Sequence, residues 1–297
     1  MKKLMFALAA SAAMLSYAEE NKELEQQEAP IFWGFGNVGI YSGYQLYGSL
    51  LNSEPVIQHY TEVNANLSIK DWDLGYLGIG LWCNSDLTKK RNASYGRIFN
   101  ETDPNLHWGK TFWFDDDRTW GLDYRCSFIW YYYPHHLYQK KDQFDNNGRL
   151  RKGTATTMDF NHSFALVNPY VTPFFTWVHE YHENNADLWE FGLKRTFAIT
   201  DELTITPSIT GVIRDHRYNW CFATDGFTEF HNGGWATLKY MIEANYQLCA
   251  NFGLFAKFAM CETVDSSLRD AAEHSSGAEY GKYKDFAWGA VGVTFNF

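Results

Sequence analysis

Hydrophobic and polar residues alternate along most of this chain, with the period of two that is typical of half-buried β-strands. The clearest segment, 119–133, has an apolar face and a polar face. The apolar face carries Trp120, Leu122, Tyr124, Cys126, Phe128 and Trp130, and the polar face carries Asp123, Arg125 and Ser127. The pattern predicts twelve antiparallel strands, at about 32–48, 56–70, 74–84, 107–114, 119–133, 156–167, 171–182, 187–199, 203–217, 234–248, 252–263 and 284–297.

The predicted connections alternate between tight turns and long polar loops. Asp71-Trp72-Asp73 and Asn168-Pro169-Tyr170 are tight turns, whereas 85–106 and 134–155 are long and rich in charged residues. An even strand number with this asymmetry is typical of transmembrane up-and-down β-barrels, whose short turns face the periplasm and whose long loops face outward. We therefore expect an all-β fold, a single antiparallel transmembrane barrel of about 12 strands. A soluble β-sandwich, the competing fold, leaves the loop asymmetry unexplained.

The amino-terminal segment has the layout of a secretory signal peptide. Lys2 and Lys3 precede a short apolar run, and Ser16-Tyr17-Ala18 places small residues where a signal peptidase requires them. We predict a signal peptide at 1–18, a periplasmic tail at 19–30 and the barrel at 31–297. The expected location is the bacterial outer membrane.

The last eight residues alternate strictly and end on an aromatic residue. Val291, Val293, Phe295 and Phe297 share the face that would meet lipid, and Gly292 lies on the other face. This ending resembles the β-signal by which bacterial outer-membrane proteins reach the barrel assembly machinery, with Gly292, Phe295 and Phe297 as its candidate residues. An ordinary core strand at a chain end is the alternative.

Composition supports a membrane barrel over a nucleic-acid-binding protein. Aromatic residues make up 18% of the chain, although its mean hydropathy is negative. That combination suits a polar lumen and polar loops combined with aromatic girdles at the membrane interfaces. The net charge of −10 argues against a nucleic-acid partner.

Charged residues recur on the face opposite the apolar one. In lipid, such a charge costs up to about 2–4 kcal/mol near the midplane, so we expect these side chains to point inward. As candidates for lining a pore we name Glu62, Asp123, Arg125, Asp159, Glu180, Glu190, Lys194, Arg214, Lys239, Glu243 and Lys257. Because both signs occur in similar number, strong ion selectivity is not predicted. The alternative is that these charges form structural ladders that close the interior.

Motifs for metal binding and catalysis are absent from the sequence. The five cysteines, Cys83, Cys126, Cys221, Cys249 and Cys261, include no CxxC pair, and their spacing determines no disulfide pairing. His162 and Ser163 are neighbours on one predicted strand and so face opposite sides. His179-Glu180-Tyr181-His182 lacks the HExxH spacing. We predict no catalytic residues, no metal, no cofactor and no enzymatic activity.

Three segments carry a resemblance to a known family. They are YQLYGSLLNSEPVIQ (Tyr44–Gln58), LGIGLWCNSDL (Leu77–Leu87) and LDYRCSFIWYYYP (Leu122–Pro134). In this order they resemble the outer-membrane porins of the TorF type, over about the first 135 residues and the closing strand. Tyr47 stands where that family usually has Arg. The MltA-interacting outer-membrane proteins, which have a similar layout, are the nearest rival family.

The family resemblance implies a barrel with channel activity and no catalytic residues. We therefore expect a passive porin for small hydrophilic solutes, with outer-membrane lipid around it. Two rival functions stay open: a non-conducting scaffold or adaptor for a periplasmic cell-wall enzyme, and an outer-membrane hydrolase with its site on the loops. The sequence determines neither the solute nor the oligomeric state, and a homo-oligomer is compatible with it.

Overall fold

The computed structural model describes residues 31–69, 72–88, 100–132, 156–182, 185–218, 233–269 and 285–297. The predicted signal peptide, tail and 134–155 loop lie outside these ranges. Within them, no helix is long and apolar enough to cross a membrane. In chain order the strands are β1 (Phe32–Tyr41), β2 (Tyr44–Leu46), β3 (Ser49–Asn52), β4 (Val56–Ile69), β5 (Trp72–Asp86), β6 (Asn100–Trp113), β7 (Gly121–Tyr132), β8 (Thr156–Val167), β9 (Thr172–Glu180), β10 (Ala186–Lys194), β11 (Phe197–Ala198), β12 (Leu203–Arg214), β13 (Gly234–Cys249), β14 (Phe252–Thr263) and β15 (Asp285–Asn296).

Twelve of these strands form one closed antiparallel barrel. Each pairs with its neighbours in chain order, and β1 pairs with β15 to close the circle. The short strand β11 pairs only with β12, while β2 and β3 form a separate hairpin. The predicted fold, an all-β up-and-down barrel of twelve strands, is confirmed.

The seam between β1 and β15 depends on close backbone approach. Gly39 lies opposite Gly292 in the register, and the ring of Phe255 lies beside both glycines. A Cβ on Gly292 would come within 2.2 Å of the Val38 carbonyl oxygen and 2.6 Å of the Phe255 ring. A larger residue at Gly292 would therefore push the closing strands apart.

The two faces of the wall differ in chemistry as the alternation predicts. Along β14, Leu254, Phe258 and Met260 are exposed, whereas Phe255 and Lys257 between them are buried. In the same way, Ile242 on β13 is exposed between buried inward neighbours. An apolar exterior around a polar interior is typical of barrels that lie in lipid.

The first predicted strand is wrong in its length. Instead of running to residue 48, β1 ends at Tyr41, and the chain turns through Ser42-Gly43 into the hairpin β2–β3. The hairpin turn places Tyr47 at φ 47° and Gly48 at φ 83°, the left-handed conformation that tight hairpin turns require. The local signals of the two bends are the dipeptides Ser42-Gly43 and Tyr47-Gly48.

The fourth strand is also longer than predicted. It begins at Asn100 instead of 107, because Glu101, Asp103, Asn105 and His107 point inward at alternate positions. Charged residues that would indicate a loop in a soluble protein are ordinary inside a polar barrel. Two smaller differences follow: the eighth predicted strand divides into β10 and β11, and the ninth ends at Arg214, before a short helical turn at 216–218.

Candidate functional site

The lumen collects all the charged residues that the sequence places on inward faces. Each of the eleven candidates is between 1% and 8% exposed. They belong to eight strands around the wall, β4, β7, β8, β9, β10, β12, β13 and β14. Their place inside the wall is a fact of the structure, whereas their role in lining a conducting pore stays a prediction.

Sequence reasoning missed two further acids on β6. Glu101 is 1% exposed and Asp103 is 5% exposed, and both point into the lumen. Glu101, Asp103, Asn105 and His107 are spaced two residues apart, which is the pattern of one face of a strand. The interpretation of 85–106 as a loop concealed this signal. With them, the buried lumen charges among the described residues are eight carboxylates and five Lys or Arg side chains. The lumen is therefore more acidic than the sequence indicated.

The hairpin β2–β3 folds inward at the end of the barrel opposite Phe32 and Asn296, which we call the loop end. Its first strand reaches the acidic side of the wall, where the Tyr44 hydroxyl donates a hydrogen bond to Glu101 Oε2 at 2.7 Å. At the tip, the Tyr47 hydroxyl lies 3.2 Å from that of Tyr131 and donates to Asp159 Oδ2 at 3.4 Å. These contacts hold the hairpin against β6, β7 and β8.

The opposite side of the same hairpin contacts β12 and β13. Arg214 Nη2 donates to the Ser49 hydroxyl at 2.9 Å and also to the main-chain carbonyl of Tyr47. Gly48 lies so close to Thr237 that a Cβ there would overlap its side chain. The hairpin therefore spans the lumen from one wall to the other and narrows it.

Tyr47 is the residue that joins the two walls. Its ring packs edge-on against Tyr218 at 6.3 Å, its hydroxyl faces Asp159 and its carbonyl faces Arg214. Burial, and next the charge of Asp159, raise the pKa of the Tyr47 hydroxyl well above its ordinary value. Tyr47 therefore stays a neutral donor across the physiological pH range.

A second polar cluster lies deeper in the barrel, around Glu62. Arg125 Nη2 lies 3.0 Å from Glu62 Oε2, and Asn64 donates to Glu62 Oε1 at 3.2 Å. The Tyr60 hydroxyl also donates to Glu62. His107 extends the cluster, with Nε2 at 2.7 Å from Asn64 Oδ1. Such pairing offsets much of the desolvation that burial imposes on these charges.

At the loop end, the acidic and the basic side chains of the lumen lie on opposite sides of the barrel. Glu101, Asp103, Asp159 and Glu180 lie on β6, β8 and β9, whereas Arg214 and Lys239 lie on β12 and β13. Nearer the middle, Lys257 Nζ lies 2.5 Å from Glu243 Oε2. The hairpin thus crosses between an acidic side and a basic side.

The histidines considered for catalysis, His162 and His179, lie outside the lumen. His162 is on the outer face, with Nδ1 2.7 Å from the Tyr124 hydroxyl and its ring stacked on Trp177 at 5.2 Å. His179 Nδ1 lies 3.0 Å from Asp187 Oδ1. In the described part of the chain, no group of three potential ligands could hold a metal ion. Cys83, Cys126, Cys249 and Cys261 are free, and Cys221 lies outside the described residues.

The candidate assembly residues lie at the seam. The rings of Phe295 and Phe297 stack at 6.4 Å on the outer face and cover Gly36 and Gly34 of β1. Gly292 lies on the inner face, where it permits the close approach described above. All three candidates thus contact the strand that closes the barrel.

No known family profile matches the chain, and no curated protein matches it in sequence. Among solved structures, the COG4313 outer membrane channel from Pseudomonas putida F1 is 9% identical, with a TM-score of 0.49 over 93% of this chain and 100% of that chain. LpxR from Salmonella typhimurium is 10% identical, with a TM-score of 0.49 over 88% and 99%. The NanC porin is 11% identical, with a TM-score of 0.47 over 88% and 98%. At these values we draw no functional argument from the likeness.

Proposed function

We propose that this chain is a porin-like channel of the bacterial outer membrane, which lets small hydrophilic solutes diffuse passively. One observation carries the proposal: a closed twelve-stranded barrel has an apolar exterior and an interior with thirteen buried charged side chains from the described residues, eight acidic and five basic. Burying such charges is expensive, and we infer that water molecules between them would offset much of that cost.

The inward hairpin supports a narrow pore over a wide one. It contacts both walls through Tyr47 and Arg214, so solutes would pass between its edge and the charged wall. A twelve-stranded barrel is intermediate between small barrels filled by side chains and the wide porins. We therefore expect an upper size limit near that of a small sugar or amino acid.

Membership of the TorF-type porins remains part of this proposal. It is supported by the segments at Tyr44–Gln58, Leu77–Leu87 and Leu122–Pro134. These segments include the inward hairpin and strand β7. The proposed partners are outer-membrane lipid, the barrel assembly machinery and the diffusing solutes. A signal peptide cleaved after Ala18 would direct export.

Liposome swelling tests the proposal directly. Refolded protein in vesicles is exposed to isotonic arabinose, glucose, sucrose and raffinose, and swelling is followed by light scattering. Diffusion through a narrow pore predicts fast swelling in arabinose and a steep fall toward raffinose. Swelling no faster than that of empty vesicles, with the barrel shown to be folded, would reject the channel.

One observation favours a second candidate, a non-conducting barrel that acts as a scaffold or adaptor for a periplasmic cell-wall enzyme. The hairpin spans the lumen and is hydrogen-bonded on both sides, as a plug would be. Under this alternative, vesicles would not swell, and the short connections opposite the loop end would form the partner surface. Co-purification with a crosslinked cell-wall hydrolase, in the absence of swelling, would support it.

A further inference from the structure

Two oppositely charged side chains on the inner face of β10 are buried without a polar partner. Glu190 is 4% exposed and Lys194 is 6% exposed. In the part of the chain that the structure describes, neither forms a hydrogen bond or an ion pair. The charge of Glu190 acts on Tyr47 and Cys261, but no hydrogen bond joins it to either. Buried charges are rarely left in this state, because their desolvation is costly unless other groups bind them.

The acids whose charges act on Lys194 belong to other contacts. They are Asp123 on β7 and Glu243 on β13. The Thr111 hydroxyl donates to Asp123 Oδ1 at 3.1 Å, and Lys257 Nζ lies 2.5 Å from Glu243 Oε2. The ammonium group of Lys194 therefore keeps its donors for a group that enters the lumen.

An aromatic ring holds the two charges of β10 apart. Glu190 and Lys194 are four residues apart on one face, so their Cα atoms are separated by about 13 Å along the strand. Phe174 on β9 pairs with Gly192, the inward residue between them, and a Cβ on Gly192 would lie 2.6 Å from the Phe174 ring. The ring centre lies 5.9 Å from Lys194 Nζ. An acid, an apolar surface and a base thus follow one another along the wall.

The chemistry and spacing of these groups define the ligand. An ammonium group at one end of a solute can donate to Glu190, while a carboxylate at the other end accepts from Lys194. For side chains that project in parallel, a hydrogen bond of ~3 Å at each end leaves roughly 7 Å between the charged groups of the solute. An apolar chain of that length can pack against the Phe174 ring.

We propose that Glu190, Phe174 and Lys194 form a binding site for a small zwitterion whose ammonium and carboxylate groups lie at opposite ends of an apolar chain. The inference rests on the proposed channel function, since it names a class of solute that the lumen holds on its way through. Leu188, which precedes Glu190 on the same face, pairs with Arg214 beside the hairpin. The site therefore begins just below the hairpin and extends toward the short turns.

Channel block tests the site, with 6-aminohexanoate as the probe. Single channels are recorded in KCl, and the zwitterion is added at constant ionic strength. The wild-type current falls with its concentration, whereas free glycine requires at least about tenfold more, because its two charged groups are too close together to reach both residues. Glu190→Gln and Lys194→Gln each raise the half-blocking concentration of 6-aminohexanoate by a similar factor, because each removes a charge-assisted hydrogen bond.

Matched variants separate solute binding from a structural role. Asp187, which contacts His179, and Arg195, which packs on Phe197, carry the same charges on the outer face of the wall. Asp187→Asn and Arg195→Gln therefore leave the half-blocking concentration unchanged. The exchange Glu190→Lys/Lys194→Glu restores the block, because the zwitterion binds in the reverse direction.

Several outcomes would overturn the site. Equal block of the wild type and both single variants would do so, as would an exchange variant that folds but is not blocked. Block by free glycine, or by hexanoate without an ammonium group, that equals block by 6-aminohexanoate would also overturn it. This comparison of solutes requires only the wild type, so it decides the matter even if a variant lacks the heat-modifiable gel mobility of a folded barrel.

Failure of the channel proposal is distinguishable from failure of the site. Current steps without block would retain the channel and overturn the site. If the wild type carries no current, 6-aminohexanoate is titrated calorimetrically into folded protein in detergent micelles. Heat that Glu190→Gln and Lys194→Gln lose supports the site in a non-conducting barrel, and the absence of heat from the wild type overturns it.

Discussion

Phe297 and Gly34 exchange two main-chain hydrogen bonds at the seam of the barrel. The Gly34 N–H donates to the Phe297 carbonyl at 2.7 Å, and the Phe297 N–H donates to the Gly34 carbonyl at 3.1 Å. The Phe297 ring covers Gly34 so closely that a Cβ there would lie 2.3 Å from it. The aromatic ring thus protects the hydrogen bonds that join the last strand to the first.

We predict that Phe297→Ala impairs barrel assembly far more than Asn296→Ala. Removing the ring exposes the seam at Gly34 and shrinks the apolar outer face, whereas Asn296 points inward. Folded protein in outer-membrane fractions, measured by heat-modifiable mobility, should fall several-fold for Phe297→Ala alone. Equal yields of the two variants would remove the β-signal interpretation.

Arg214 is predicted to hold the hairpin in the lumen. Arg214→Gln removes the donors to Ser49 and Tyr47, contacts with a charged group that are each worth about 1.5–3 kcal/mol. We expect a larger and noisier single-channel current, because the hairpin then moves away from β12. Lys194→Gln is the matched control, because it removes a lumen cation that does not contact the hairpin. Indistinguishable currents from the two variants would contradict the role of Arg214.

The Glu62–Arg125 pair should show strong coupling in unfolding experiments. Glu62→Gln leaves the buried Arg125 cation without its partner at 3.0 Å, and we expect a loss of about 3–5 kcal/mol in the free energy of unfolding. Arg125→Gln should have a similar effect, and the double variant should lose much less than the sum. Urea unfolding of the protein in lipid vesicles measures the cycle. Additive losses would mean that the two side chains act independently.

The sequence was sufficient to predict the architecture. Strict alternation in segments such as 252–263 identified strands whose bounds agree with the structure, and the same rule placed Lys257 on the inner face. This works because a barrel wall has only two faces, and lipid forces charge onto one of them. Strand pairing then follows from chain order.

The sequence was insufficient where the chain enters the lumen. Gly48 marks the turn of the hairpin at Tyr44–Asn52, but the position of the hairpin inside the lumen depends on its contacts with Glu101, Asp159 and Arg214. Those partners are more than 50 residues away in the chain, so no local pattern indicates them. Glu101 and Asp103 differ, because their alternation with Asn105 and His107 is a local signal that the interpretation of 85–106 as a charged loop concealed.

Single-channel conductance of the refolded protein in a planar bilayer tests the central claim most directly, namely that water and ions pass between the hairpin and the charged wall. The claim predicts discrete, reproducible current steps, with a size that Glu243→Lys or Lys239→Glu changes by altering lumen charge. A silent bilayer, with the barrel shown to be folded by heat-modifiable mobility, would contradict it and would mean that the hairpin closes the lumen.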